Sequence, residues 1–154
     1  MGTRHTQTVI KKRGQVKVRQ YGQWDGYPDG QGVEILNFLK ESDLNKYNKQ
    51  LNKLNEVTDE QWAEVDKAGD DWKKEYPYLS RDCGSDIHQM ILDNKVKFVQ
   101  HVDEKEANQW CSGFYTIDLK KGLFISEFDG DVVELSLDNL PTKEEYLGMF
   151  NQDC

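Results

Sequence analysis

Strand-type alternation marks both ends of this chain, and helical spacing fills the middle. An isolated hairpin is marginal in water, so an amino-terminal strand pair must find further strands. The remaining strand patterns lie in the last third of the chain, so the sheet has to be assembled across the helical stretch. Residues 5–11 read as a strand with Thr6, Thr8 and Ile10 on one face, and Lys12-Arg13-Gly14 as its turn. Residues 15–22 alternate, with Val16 and Val18 opposite Lys17 and Arg19. Further strands are expected at 96–102, 110–119, 122–128 and 132–135.

Between these lie four helical patterns. The first starts near Gly32 or Val33 and runs to about Lys40, with Val33, Leu36 and Leu39 inward. The second follows Ser42 and carries Leu44, Tyr47, Leu51 and Leu54 as one stripe. The third opens on a capping box, Thr58 with Gln61, bears Trp62, Val65 and Trp72, and ends at Tyr76-Pro77-Tyr78. A short helix with Ile87, Met90 and Ile91 inward follows within 79–94, and Pro141 opens a last helix through Phe150. The expected fold class is α+β: an antiparallel sheet made of the amino-terminal hairpin and the carboxy-terminal strands, with a helical segment at about 33–93 inserted between them. All 154 residues are expected to form one domain.

Composition narrows the partners. The net charge is −8, whereas a general grip on nucleic-acid phosphates needs an excess of Lys and Arg. The same sign opposes adsorption to an anionic membrane, and no apolar run approaches the ~20 residues needed to cross one. Neither nucleic acid nor membrane is therefore an expected partner. The start "MGTRHTQTVIKKRG" lacks the apolar centre of a signal peptide. Its first six residues fit the short myristoylation pattern, for which a chance match is the simpler reading. Cys83, Cys111 and Cys154 are odd in number and without metal spacing, so reduced thiols in a cytoplasm are expected. His5, His88 and His101 lack zinc-site spacing, "EFDGDVVE" lacks a calcium loop and reads as a hairpin turn, and no P-loop or nucleophile elbow occurs. No metal or cofactor is called for.

The densest functional signal is "QYGQWDGYPDGQG", from Gln20 to Gly32. Tyr21, Trp24 and Tyr27 recur every third residue, so they cannot all bury on one sheet face. Tyr27-Pro28-Asp29-Gly30 is turn chemistry, in which Pro presets φ and Gly30 is expected to accept a positive φ. The glycines at 22, 26, 30 and 32 permit close approach, either by other backbone or by a ligand. An indole or phenol offers a face to a planar group, and Asp25 could accept hydrogen bonds from a base or a ribose. Alternatively Trp24 packs into the core and the glycines only shape turns.

Arg4 precedes the first strand, and Arg81-Asp82 sits near the start of a short helix, a place that favours anions. Together the arginines could clamp a phosphate or carboxylate; separately, either could pair with a neighbouring carboxylate. Cys83 near that helix start could be a nucleophile, though an inert buried thiol is the commoner case. Asp25 and Asp82 could work as an acid–base pair if the fold brings them together.

"MGTRH", followed by "QYGQWDGYPDGQG", resembles a group of small proteins of bacteria, phages and fungi. They begin with Gly-Thr-Arg and carry a Tyr-x-x-(Trp/Phe/Tyr)-Asp-x-Tyr-Pro-x-Gly segment after a first hairpin. "LSRDCG" at 79–84 and the hairpin around "FYTIDLKKGLF" are similar to later parts of that group. The resemblance implies no activity, but it gathers Thr3, Arg4, Tyr21, Gln23, Trp24, Asp25, Tyr27, Arg81 and Asp82 as candidate site residues. The layout also loosely resembles amino-terminal nucleophile hydrolases. There the exposed first residue is Cys, Ser or Thr; here removal of Met1 exposes Gly2, and Thr3 would need further trimming.

The leading expectation is a protein that binds a nucleotide or nucleotide-derived messenger, stacked on Trp24 or Tyr27 and clamped by Arg4 and Arg81. Size and resemblance add the expectation of a phage-type, anti-defence sponge in a host cytoplasm. A hydrolase of the same ligand, using Asp25 and Asp82 or Thr3, and an inhibitor that docks a protein through Trp62 and Trp72 remain open. So does homo-oligomerisation.

Overall fold

The computed structural model describes residues 3–150. Met1 and Gly2, on which the myristoylation and processing readings rest, and Cys154 lie outside the described residues. The chain is α+β. A hairpin of β1 (His5–Ile10) and β2 (Val16–Gly22) is followed by a tight π-type turn over Pro28–Gly32 and by α1 (Val33–Glu41) and α2 (Leu44–Leu51). Then come β3 (Asn55–Glu56), α3 (Asp59–Lys67), α4 (Trp72–Glu75), α5 (Asp86–Leu92), β4 (Phe98–Val99) and α6 (Glu104–Trp110). The chain closes with β5 (Gly113–Asp118), β6 (Leu123–Phe128), β7 (Asp131–Ser136) and α7 (Lys143–Gly148).

The main sheet has the order β2-β1-β5-β6-β7. Its pairs are antiparallel except β1 with β5, which run parallel because the helical stretch carries the chain back to the same end of the sheet. The β6–β7 hairpin turns on Asp129 (φ 52°) and Gly130 (φ 86°), as the acidic stretch suggested. Thr142 and Glu145 form a reciprocal capping box that starts α7 two residues after Pro141.

Four expectations need correction. The segment 96–102 is not a strand of the main sheet; Phe98–Val99 alone pairs, parallel to Asn55–Glu56. The strand expected at 110–119 starts at Gly113, because Asp103 accepts hydrogen bonds from the Lys105 and Glu106 N–H groups and nucleates α6 in front of it. The third helix does not run through to Trp72, because Gly69 adopts φ 57° and breaks it. Gly30 is not at positive φ; the left-handed residue of the aromatic turn is Asp25, at φ 57°.

One face of the sheet meets the helices. On β1 that face is His5, Gln7 and Val9, all buried, and it faces Ile35, Leu36, Tyr47, Leu51, Ile87 and Ile91 in the common core. Polar residues on a buried face must pair with one another. The Tyr47 hydroxyl donates to His88 Nδ1 at 2.7 Å, His88 Nε2 to Gln7 Oε1 at 2.7 Å, and Gln7 Nε2 to His5 Nδ1 at 3.3 Å. The line runs through the core from α2 and α5 to β1 and stops at His5 Nε2, which has no partner among the described residues. Tyr47→Phe keeps the ring contact with Phe38 but strips His88 Nδ1 of its donor. Urea denaturation should show a loss of about 2 kcal/mol; a loss under about 0.5 kcal/mol would mean that the line carries no stability.

Candidate functional site

The glycines of the aromatic turn serve the protein's own packing. A Cβ on Gly22 would overlap the His5 imidazole, and one on Gly32 would overlap the Tyr146 hydroxyl. At Gly26 it would lie 2.7 Å from the Thr3 carbonyl oxygen. That carbonyl accepts from the Gly26 N–H, and the Tyr115 hydroxyl donates to the Gly26 carbonyl at 2.6 Å. The turn is thus pressed onto the end of the sheet, and its aromatics are turned outward.

Beside it, past the carboxy-terminal end of β2, lies a cavity of about 820 Å³. One wall is Gln20, Tyr21 and Gln23 from β2 and its exit. A second is Tyr78, Leu79 and Arg81 from the loop ahead of α5. The third is His101, Val102 and Asp103, continuing into Glu106, Ala107 and Trp110 of α6. Arg4 closes the end, its guanidinium 5.8 Å from the centre of the Trp110 ring, a cation–π arrangement.

Four of the nine sequence-predicted residues therefore meet around one cavity: Arg4, Tyr21, Gln23 and Arg81. The fold places both arginines on one cavity, Arg4 from ahead of β1 and Arg81 from the loop ahead of α5. Arg81 is not at a helix start, since α5 begins at Asp86.

The other five do not line the cavity. Thr3 is spent on the Gly26 hydrogen bond. Trp24 is 44% exposed, so it is no core residue, yet its indole N–H is committed to Asp82 Oδ1 at 2.6 Å. Asp82 also meets Lys73 at 3.5 Å, and the indole hydrogen bond, with Lys73 and Arg81 adding to it, holds its carboxyl below the usual carboxylate range. Together with the Gln23 N–H bond to the Arg81 carbonyl, at 3.0 Å, this latch pins the Arg81 loop to the aromatic turn. Asp25 accepts the Gln31 N–H on its carbonyl, as the left-handed pivot of the turn. Tyr27 packs on Phe128, with ring centres 5.5 Å apart. The cavity is bordered by none of Thr3, Asp25 and Asp82, the candidates for hydrolytic chemistry.

Sequence reasoning missed the α6 wall, and with it Trp110. The signal was present: Asp103-Glu104-Lys105-Glu106 is an N-cap followed three residues later by Glu, the opening of a helix, and Ala107 is its buried position. A strand reading of the region around Trp110 concealed it.

The remaining reactive groups are quiet. Cys83 is buried, and burial pushes its thiol up to about 12, opposite to what a nucleophile needs. Burial also raises the thiol of Cys111. His101 Nε2 meets the Lys17 carbonyl at 3.2 Å. Among the described residues no cluster of His, Cys, Asp or Glu has the arrangement of a metal site, and no helix is long and apolar enough to cross a membrane. Trp62 and Trp72 are half-buried against the core and line a separate small cavity of about 220 Å³. No family model, curated protein or solved structure matches this chain.

Proposed function

We propose that this chain binds a nucleotide-like small molecule in the cleft between β2, the Arg81 loop and α6, and holds it without turning it over. The observation that carries the reading is the convergence of Arg4 and Arg81 with the aromatic residues Tyr21 and Trp110 around one cavity in a chain of net charge −8. Two guanidinium groups supply charge-assisted hydrogen bonds to phosphate, and aromatic faces supply stacking for a base. A cavity of about 820 Å³ suits a ligand of nucleotide size. Glu106, on the same wall, offers an acceptor for ribose hydroxyls.

Binding is favoured over hydrolysis because Asp25, Asp82 and Thr3 stand away from the cleft and Cys83 is buried. Docking through Trp62 and Trp72 is disfavoured by their packing against the core. The free thiols Cys83 and Cys111 fit a reducing cytoplasm. A phage-type sponge for a signalling nucleotide is the biological role that agrees with these features.

The test is to mix the protein with linear and cyclic nucleotides and ADP-ribose derivatives, then chromatograph the mixture before and after heat denaturation. The expected result is a ligand recovered intact only after denaturation. Arg81→Ala and Trp110→Ala should each release it, with affinity falling about tenfold or more. A ligand returned chemically altered would replace the sponge reading with turnover, and a panel that stays wholly free would remove the nucleotide reading.

A further inference from the structure

The hydrogen-bond parity of the sheet leaves one main-chain position open on the cavity wall. The Arg4 and Ile10 carbonyls accept from the Gly113 and Leu119 N–H groups, on the β5 side. Arg4 and the even-numbered residues of β1 therefore direct their main-chain groups toward β5, and the odd-numbered ones direct theirs toward β2. The bonded pairs between β1 and β2 are then His5 with Gly22, Gln7 with Gln20 and Val9 with Val18. The odd-numbered residues of β2, an edge strand, turn N–H and C=O outward.

Two of these outward positions are filled by the protein itself. The Arg19 carbonyl accepts the Val102 N–H at 2.8 Å, and the Gln23 N–H donates to the Arg81 carbonyl at 3.0 Å. Tyr21 lies between them and lines the cavity. Among the described residues, no main-chain group beyond the sheet bonds its N–H or C=O. The neighbouring Gln20 is 6% exposed and lines the same wall; its Nε2 donates to the Tyr78 carbonyl, while its Oε1 has no partner among the described residues.

An edge opening of this kind invites pairing. Its length decides with what. Val102 and Arg81 close it on either side, so only Tyr21 is available, and an added peptide strand would need several alternate residues. A donor and an acceptor side by side, in the plane of one ring, fit a single residue. That is the hydrogen-bonding edge of a nucleobase: an exocyclic amine beside a ring nitrogen, or a ring N–H beside a carbonyl.

We infer that the Tyr21 main chain reads the base edge of the ligand, its C=O accepting from the base and its N–H donating to it, while the arginines hold the phosphate. The inference rests on the nucleotide reading above and deepens it: the ligand must carry an unsubstituted base edge, not merely a phosphate and a planar ring.

Calorimetry on the wild-type protein tests it with adenosine and uridine monophosphates, ribose phosphate, the 1-deaza analogue of the adenine nucleotide, and uridine monophosphate methylated on its ring N–H. At least one natural nucleotide should bind, with its edge-altered counterpart and ribose phosphate weaker by about tenfold or more. A natural nucleotide and its edge-altered counterpart binding alike would overturn the inference and leave the nucleotide reading standing. No binding by either natural nucleotide would overturn the inference for these base edges, and the nucleotide reading would fall with it only when the wider panel above also stays free.

Tyr21→Pro and Tyr21→Ala supply a second arm. Both lose the ring, but only proline loses the N–H, which an edge strand tolerates because that group does not pair within the sheet. Tyr21→Pro should bind about tenfold more weakly than Tyr21→Ala. Equal affinities in the two folded variants would also overturn the inference.

Discussion

Acidification from pH 6.5 to 5 should cost the protein about 3 kcal/mol of stability, before most carboxylates begin to titrate. The cause is the buried line Tyr47–His88–Gln7–His5. Burial holds the His88 imidazole down to about 3 and the His5 imidazole down to about 4, against an ordinary 6.5. For His88 the nearby His5 acts in the same direction. Both rings are therefore neutral in the folded chain and gain a proton on unfolding once the pH drops below 6.5. The unfolded state then binds more protons than the folded one, so stability rises with pH across this window and falls as pH is lowered.

Each histidine contributes a slope approaching 1.4 kcal/mol per pH unit, and the loss continues until the pH reaches the folded-state values near 4 and 3. Urea midpoints at pH 7, 6, 5.5 and 5 measure the slope. The His88 ring signals in a native-state NMR titration measure the cause. A flat stability between pH 6.5 and 5, or a His88 ring that titrates near 6.5 while the protein stays folded, would show that the line is not closed as described.

Gly22→Ala should destabilise the chain by about 3 kcal/mol, the upper range for overpacking a core. Gly22 is on the inner face of β2, opposite His5. A methyl group there would overlap His5 Nε2 and Cε1. The ring has nowhere to retreat: it is fully buried, bonded through Nδ1 to Gln7, and set edge-on to Tyr115 at 6.3 Å between ring centres. Either the imidazole leaves its rotamer and breaks the polar line, or β2 lifts from β1 at the point where Tyr21 and Gln23 reach the cleft.

Gly148→Ala is the matched control. Nothing lies within 4 Å of the added atom, and the position is helical, so the change should be neutral or stabilising by up to about 1 kcal/mol. Urea midpoints for the two variants, at unchanged denaturant slope, decide the point. A Gly22→Ala variant within about 0.5 kcal/mol of wild type would mean that the turn yields without cost. Adding His5→Ala to Gly22→Ala should restore part of the loss, because the two changes act on the same contact.

The elements legible in the sequence were those whose own residues carry the reason for them. The β1–β2 hairpin and α1 through α2 follow from period-two and period-3.6 patterns that each segment needs in order to bury one side. The α3 start follows from Thr58 with Gln61, where a side chain satisfies an N–H three residues away, and the last helix was announced by Pro141, two residues ahead of the first residue of α7. Local chemistry of this kind needs no partner elsewhere in the chain.

What had to come from tertiary structure is everything set by approach between distant residues. No pattern within β1 chooses His5, Gln7 and Val9 over the β-branched Thr6, Thr8 and Ile10 as its buried face. His88 on α5, itself oriented by the Tyr47 hydroxyl on α2, makes that choice by donating a hydrogen bond to Gln7. The aromatic turn read equally well as a ligand loop or as packing. It is divided between them: Tyr21 and Gln23 reach the cleft, whereas Trp24 is fastened to Asp82 and its glycines make room for His5, Thr3 and Tyr146. Arg4 and Arg81 could be named as candidates because guanidinium chemistry is carried by the residue itself. That they line one cavity with Trp110 depends on β1, the latched loop and α6 meeting there, a relation in space that short-range sequence order does not encode.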